Sequence, residues 1–408
     1  MADRVCTRFK DTDGLDLGCH LVTQEYLLEA YPSLVPWMQA PALWIWGQGA
    51  AGSLGDNSTI RRSSPVQTVS GGTNWRSVST GEHHTIAIKT DGTLWSWGCN
   101  NDPGFSGGKL GNNSTINQSS PVQTVSGGTN WKSVSAGGGT SAAIKTDGTL
   151  WVWGGFSSLA FGERSSPVQT FSGGTNWRSI GVKTGNNPAF VAIKTDGTLW
   201  TWAQGFCGWL GCNGTAYQSS PVQTVSGGTN WRSVSAGYNS ITAVKKDGTL
   251  WLWGGGAYGK LGDNSTTAKS SPVQTVSGGT NWRSPGSSSR YASAAIKTDG
   301  TLWLWGDGRG GGLGNNTTNV YSSPVQTISG GTNWRSVSLA SAVGVAIKTD
   351  GTLWVWGCGA DGRLGTNSQT SRSSPVQTVS DGNNWRSAEI GSSASNARTV
   401  AIRDEGDY

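Results

Sequence analysis

Short runs in which apolar and polar positions alternate recur along most of the chain. The clearest is Leu-Trp-x-Trp-Gly, whose period of two is that of a strand. It starts at Trp44, Trp95, Trp151, Trp200, Trp251, Trp303 and Trp354, and Gly follows in all but the fourth, which has Ala203. Ser-Ser-Pro-Val-Gln-Thr comes next each time, with prolines at 65, 121, 167, 221, 272, 324 and 375. An Asn-Trp pair then opens Asn-Trp-Arg-Ser-Val-Ser, with tryptophans at 75, 131, 177, 231, 282, 334 and 385. An Ala-Ile-Lys type segment completes the set. The spacing predicts four short antiparallel strands per repeat of about 51 residues, seven times over. Thr-Asp-Gly between the second and third strands is a tight hairpin signal, because Gly accepts positive φ. The recurrent Pro opens the fourth strand, where a missing N–H costs least.

The phase of the repeat predicts a closed ring. The whole Asp-Gly-Thr-Leu-Trp hairpin occurs six times, at Asp91, Asp147, Asp196, Asp247, Asp299 and Asp350. The seventh is split: its front half is Val400 to Gly406 and its back half Ala42 to Gly47. The last blade therefore combines two C-terminal strands with two N-terminal ones and leaves no open edge on the circle. The expected fold is an all-β, seven-bladed β-propeller over residues 42–408, preceded by a tail of residues 1–41. Within the tail, Leu21 to Tyr31 reads as a short helix capped by Thr23 and ended by Pro32. The tail is read as an anchor or oligomerisation arm.

Composition agrees with strands and turns, with 63 Gly and 23 Trp and only 13% charged residues. Tryptophans at a fixed phase read as packing between blades, where each buries roughly 150–250 Å². The net charge of +6 is carried by two basic positions per repeat. One follows Asn-Trp (Arg76, Lys132, Arg178, Arg232, Arg283, Arg335, Arg386). The other ends Ala-Ile-Lys (Lys89, Lys145, Lys194, Lys245, Lys297, Lys348, Arg403). Spread in this way, the charge reads as a solvated surface and not as a nucleic-acid track. The polar start gives no signal-peptide pattern, and no run of 18 apolar residues spans a membrane. Cys6, Cys19, Cys99, Cys207, Cys212 and Cys358 show no regular pairing.

Together, Val-Ser-x-Gly (Val78 to Gly81), the Asp-Gly-Thr-Leu-Trp-x-Trp-Gly run and Gly-x-Leu-Gly (Gly52 to Gly55, Gly259 to Gly262, Gly362 to Gly365) carry a family resemblance. The chain resembles the regulator of chromosome condensation repeat family over roughly residues 42–406, which implies a seven-bladed propeller. The family's His after the Val-x-x-Gly turn is kept only as His83-His84. The family includes nucleotide-exchange factors and chromatin binders, so fold alone does not name the function. The uniform Ser-Gly-Gly-Thr-Asn-Trp repeats look like those of propellers encoded by tailed phages and some bacteria, which implies a virion part.

Strand order separates two faces. The Thr-Asp-Gly turns and Ser-Gly-Gly-Thr-Asn connections share one face and hardly vary. The turns after Val-Ser-x-Gly and the long loops after Trp-x-Trp-Gly share the other, and they vary in length and sequence. On that variable face fall Phe105, Phe156, Phe161, Phe206, Trp209, Tyr238, Tyr258, Arg290, Tyr291, Arg309 and Tyr321. Varied loops on a rigid scaffold carry function, and aromatics with Arg are the usual contact residues. The tail leaves from the constant face.

Catalytic chemistry is not legible. His20, His83 and His84 are the only histidines, and no triad can be built from one blade. The Gly-rich runs open no helix that would cradle a phosphate. Asp11, Asp13 and Asp16 miss EF-hand spacing, and Cys6, Cys19 and His20 miss paired zinc spacing. Asn57, Asn113, Asn213 and Asn264 head Asn-x-Ser/Thr triplets of little weight without a secretion signal. The expectation is a non-enzymatic structural or interaction protein without cofactor or metal. The first reading is a phage virion component (tail, fibre or head-associated). Its variable face meets a protein or glycan receptor, and its tail meets other proteins of the assembly. Alternatives are a free carbohydrate- or protein-binding propeller at a cell surface and a guanine-nucleotide exchange regulator.

Overall fold

The structure, a computed structural model, describes residues 4–10, 16–23, 41–69, 73–101, 107–155, 162–170, 174–185, 187–328, 331–379, 382–391 and 397–404. Seven four-stranded antiparallel sheets follow the repeat. Blade I comprises Trp75–Thr80, His84–Lys89, Leu94–Gly98 and Gln118–Gln123. Blades II to VI begin at Trp131, Trp177, Trp231, Trp282 and Trp334 and end at Gln169, Gln223, Gln274, Gln326 and Gln377. Blade VII takes Trp385–Ile390 and Arg398–Arg403 from one end of the chain and Ala42–Gly47 and Arg62–Gln67 from the other. No helix among the described residues is long and apolar enough to cross a membrane.

The split blade is held by the bonds that hold the intact ones. Ala42 to Gly47 pair antiparallel with Arg403 to Arg398 without a break in register. The Pro41 carbonyl accepts from the Trp75 N–H, as the Gly92 carbonyl accepts from Trp131. The Asp404 N–H donates to the Asn384 carbonyl, as Thr90 donates to Asn74. Pro41 thus stands at the turn on the constant face, where the chain enters the ring.

The core lies between blades. Each of the seven hydrophobic clusters combines aliphatic residues of one blade with two tryptophans of the next. Between blades IV and V, for example, Leu250, Leu252 and Leu261 meet Trp282 and Trp305. In five blades the second Trp of Trp-x-Trp also donates its indole N–H backwards to a Gly-x-Leu-Gly loop, as Trp305 does to the Lys260 carbonyl at 2.8 Å, Trp253 to Trp209 at 2.8 Å and Trp46 to Arg363 at 3.1 Å. The last Gly of that loop lies so close that a Cβ on Gly262 (φ +67°) would sit 2.9 Å from the Trp305 indole nitrogen. Blade II has the short loop without this motif, and Trp202 of blade III instead stacks on Phe190 at 5.0 Å.

Local bonds explain the constant sequences. In Asp-Gly-Thr-Leu-Trp, Asp299 accepts from the Thr301 N–H at 2.9 Å and hydroxyl at 2.7 Å, and Thr301 accepts from the Trp303 indole at 2.8 Å. The same relay occurs in all six intact hairpins. Asn57, Asn113, Asn213 and Asn264 all have φ of 56–59°. Each donates its N–H to a serine of the next blade, so these triplets are turn and docking elements.

Two expectations change. Residues Leu21–Thr23, read as the start of a helix, close a hairpin instead: Arg4–Lys10 pairs with Asp16–Thr23, with Thr23 opposite Arg4. The β-branched pair Val22-Thr23 suits a strand. The remainder of that segment lies outside the described residues. Second, the repeated lysines are not simply solvated. Each lies over two tryptophans, as Lys297 does over Trp303 (4.1 Å) and Trp282 (5.0 Å), and Arg403 takes this place over Trp44 in blade VII.

The inner strands line a central channel of about 400 Å³. Serine hydroxyls on its wall accept N–H groups of the next blade: Ala136 to Ser79 at 3.1 Å, Val182 to Ser135 at 2.9 Å, Ile390 to Ser338 at 3.3 Å. At the closing junction Glu389 takes the serine's place and accepts from the Thr80 N–H at 3.2 Å. Burial on the channel wall pushes its carboxyl up to about 7, against the Thr80 and Ser79 hydrogen bonds. A carboxyl raised in the folded state costs stability above its folded pKa, and that cost is relieved as pH falls toward its unfolded value. Glu389→Gln is therefore expected to melt higher than the parent at pH 8, with the difference shrinking to nothing by about pH 4. Thermal melts across that range check it, and a pH-independent difference would contradict it.

Candidate interaction face

The long loops build the variable face by one recurrent device. After the third strand a three-residue 3-10 turn places its middle residue in the left-handed region: Ala51, Cys207, Tyr258, Gly310 and Asp361, with φ of 54–67°. Two residues later the x of Gly-x-Leu-Gly turns inward and is buried, as at Ser53, Lys109, Trp209, Lys260 and Arg363. One position therefore looks out and the other looks in, and both vary between blades.

Over blades III to V these positions and the inner turns join into a continuous ladder. Phe206 is 55% exposed and meets Trp209 edge-on at 6.5 Å. The Lys183 ammonium lies 3.9 Å above the Trp209 ring and 5.4 Å from that of Tyr238. Arg290 lies over Tyr238 (5.4 Å) and Tyr291 (5.6 Å). Tyr291 meets Tyr258 edge-on at 5.8 Å, and Arg309 lies 5.2 Å over Tyr258. Asp307 closes the series, accepting from Arg309 Nε at 2.7 Å. Tyr258, Tyr291, Asp307, Arg309, Gly310, Ala342 and Cys358 line a cavity of about 390 Å³. A cation over a ring contributes roughly 0.5–2 kcal/mol when it is desolvated, as the buried Lys183 ammonium is.

Seven of the eleven candidate residues come together here: Phe206, Trp209, Tyr238, Tyr258, Arg290, Tyr291 and Arg309. Trp209 is a correction in part, since it is 4% exposed and serves as the floor under Lys183 rather than as a contact surface. Tyr321 stands apart, packed against the core between blades V and VI with its hydroxyl 3.4 Å from that of Thr317. Phe105, Phe156 and Phe161 lie outside the described residues.

Two lysines went unnoticed in the sequence. Lys183 and Lys260 are buried, at 4% and 1% exposure. The Lys183 ammonium donates to the Thr184 and Asn187 carbonyls at 3.0 and 3.1 Å, and that of Lys260 to the Arg290 carbonyl at 3.4 Å. Burial pulls both down to about 7, and the Arg290 charge adds to this at Lys260. Asp307, by hydrogen bond and charge, raises Arg309 further and keeps it a cation. The available signal, for Lys260 alone, was its place at the inward x of Gly-x-Leu-Gly, where the other loops carry Ser53, Lys109, Trp209, Gly312 and Arg363. His84 is no part of the face. It is fully buried, its Nε2 lies 2.7 Å from the Ser141 hydroxyl of blade II, and desolvation pulls its pKa well down.

The geometry defines a class, a seven-bladed propeller with one invariant face and one diversified for contact. The RCC1-like domain family matches residues 42–397, and the chain belongs to it. It is similar to the ultraviolet-B receptor UVR8 of Arabidopsis thaliana, 27% identical over 318 residues that cover 74% of this chain and 69% of that protein. It is also similar to the E3 ubiquitin-protein ligase HERC2 of Homo sapiens, 29% identical over 297 residues. These cover 69% of this chain but 6% of that protein. Among solved structures, Prp20p from Saccharomyces cerevisiae superposes with a TM-score of 0.77 at 18% identity, covering 90% of this chain and 92% of that one. Human WBSCR16 gives 0.74 at 17%, covering 89% and 100%. Both share the fold.

Lys183 gives a test of the ladder. A lysine depressed in the folded state loses stability as pH falls from its unfolded value toward its folded one. Relative to Lys183→Met, the parent is expected to lose stability as pH drops from about 10 to about 7, then to level off. Chemical denaturation at stepped pH reads the difference, and a flat profile would contradict the burial of this ammonium.

Proposed function

We propose that this chain is a non-enzymatic interaction module whose variable face captures an acidic segment of a partner protein through the ladder on blades III to V. The observation that carries this is the grouping of two exposed guanidinium groups, Arg290 and Arg309, and two buried amines, Lys183 and Lys260, around accessible tyrosines, with Asp307 beside Arg309 and Glu82 acting on Lys183. Clustered Tyr and Arg are the usual energetic anchors of interfaces. Charge complementarity would steer an acidic partner to them. Relatives support a protein partner: Prp20p is described by its binding to Gsp1p and histones, and yeast RCC1 (Prp20) in a complex with Kap60. An exchange-type regulatory role is consistent with those relatives. A place in a virion, with residues 1–41 as anchor, has the uniformity of the repeats as its support, and stoichiometric presence in purified particles tests it. A carbohydrate ligand would use the same tyrosines, and a glycan array reads it.

The test is affinity capture by the whole chain, with bound proteins identified and their contact segments mapped by cross-linking. Tyr258→Ala combined with Arg290→Ala is expected to reduce capture at least roughly tenfold, by loss of two anchors. Cross-links should fall on acidic segments. Equal capture by the parent and the double variant would reject this face as the site.

A further inference from the structure

The opposite, constant face gathers charge in a way the linear sequence does not display. The basic residue after each Asn-Trp lies second in an inner strand, and successive ones join around the channel mouth. Arg178 donates to the Arg232 carbonyl at 2.8 Å, Arg232 to the Trp282 carbonyl at 2.7 Å, and Arg283 to the Trp334 carbonyl at 2.5 Å. Arg335 donates to the Arg386 carbonyl at 2.9 Å, and Arg76 reaches Trp131 of blade II in the same way. Six arginines and one lysine thus form one circlet around the axis, all half-buried or exposed.

Radial order adds to the effect. Outside the circlet lies the ring of lysines over the tryptophan pairs, and outside that lie the turn aspartates. Those aspartates are already hydrogen-bonded to their own threonines, as Asp247 is to Thr249 at 2.6 Å. In six blades the cations lie toward the axis and the turn aspartate toward the rim, so their positive potentials add at the mouth, while in blade VII Asp404 pairs with Arg386. The low-dielectric walls of the channel focus that field. The circlet also accepts an oxyanion where one is within reach: Arg386 Nε lies 2.5 Å from an Asp404 carboxylate oxygen.

We propose that the mouth of the central channel on the constant face is a binding site for a compact oligophosphate, held on the propeller axis by the circlet of inner-strand arginines. A ring of six guanidinium groups and one ammonium suits a compact multivalent anion better than an extended nucleic-acid backbone, which needs cations along a line. Guanidinium groups match phosphate oxygens in pairs. The site lies on the other face from the ladder and does not depend on that reading.

Isothermal titration of the full chain with inorganic tripolyphosphate at low salt tests it. One ion per chain is expected to bind, with affinity falling steeply as salt is raised. Arg178→Gln, Arg232→Gln and Arg283→Gln together should weaken binding roughly tenfold or more, while the three matching Lys variants, which keep the charge but lose the paired hydrogen bonds, should fall between that variant and the parent. Lys132→Glu, at an exposed ring position, should weaken binding comparably and gives the answer if the triple Gln variant does not fold. Arg290→Gln with Arg309→Gln on the variable face should change nothing. The proposal is overturned if the parent does not bind, if Lys132→Glu binds like the parent, or if the variable-face pair abolishes binding. Tighter binding of a poly-glutamate peptide than of tripolyphosphate would overturn it in favour of a peptide site.

Discussion

Two buried tryptophans at every blade junction are the constraint on which the molecule depends. One comes from an inner strand and one from a third strand, and at six junctions they meet edge-on or tilted at 6.0–6.5 Å, as in Trp75–Trp97 and Trp131–Trp153. Both project onto the aliphatic face of the preceding blade. A four-stranded sheet cannot bury its faces alone, so each blade folds only against neighbours, and the ring has to close. Closure here is a strand exchange between the chain ends, which makes the first and last junctions chemically like the others. The indole N–H groups then tie in the loops: five of the second third-strand tryptophans reach variable-face loops, as Trp305 reaches Lys260, and several inner-strand ones hold the constant-face connections, as Trp282 holds Gly278 at 3.2 Å.

This division explains why one face is constant. Its turns supply partners to core tryptophans through the Asp–Thr–Trp relay and the Gly-Gly connections, so substitution there would leave an indole N–H unpaired inside the protein. The variable loops supply only a backbone carbonyl, at the x of Gly-x-Leu-Gly. Any side chain can provide that carbonyl, so Lys260, Trp209, Gly312 and Arg363 all serve. The freedom to diversify follows from which atom the core needs.

The fold was legible because its signals repeat seven times and because a split hairpin has one geometric meaning. The site was legible only in part. Phe206 and Trp209 stand three residues apart in one loop, and a left-handed Cys207 between them sends one out and the other in. No periodicity encodes that, so Trp209 read as exposed. Lys183 and Lys260 drew no reading because pattern alone does not reveal that Lys183 ends among rings and carbonyls and Lys260 against the Arg290 carbonyl. The basic residues after Asn-Trp read as dispersed because they lie about 51 residues apart. Seven-fold closure brings them to one rim.

The central claim is that the junction made from both chain ends is as strong as the six continuous ones. Native-state hydrogen exchange read by mass spectrometry tests it most directly. Amides in Ala42–Gly47 and Arg398–Arg403 should exchange with the same protection as those in Leu94–Gly98 and His84–Lys89, through global unfolding. Markedly faster exchange confined to the blade VII strands, at protection well below that of the other blades, would contradict it.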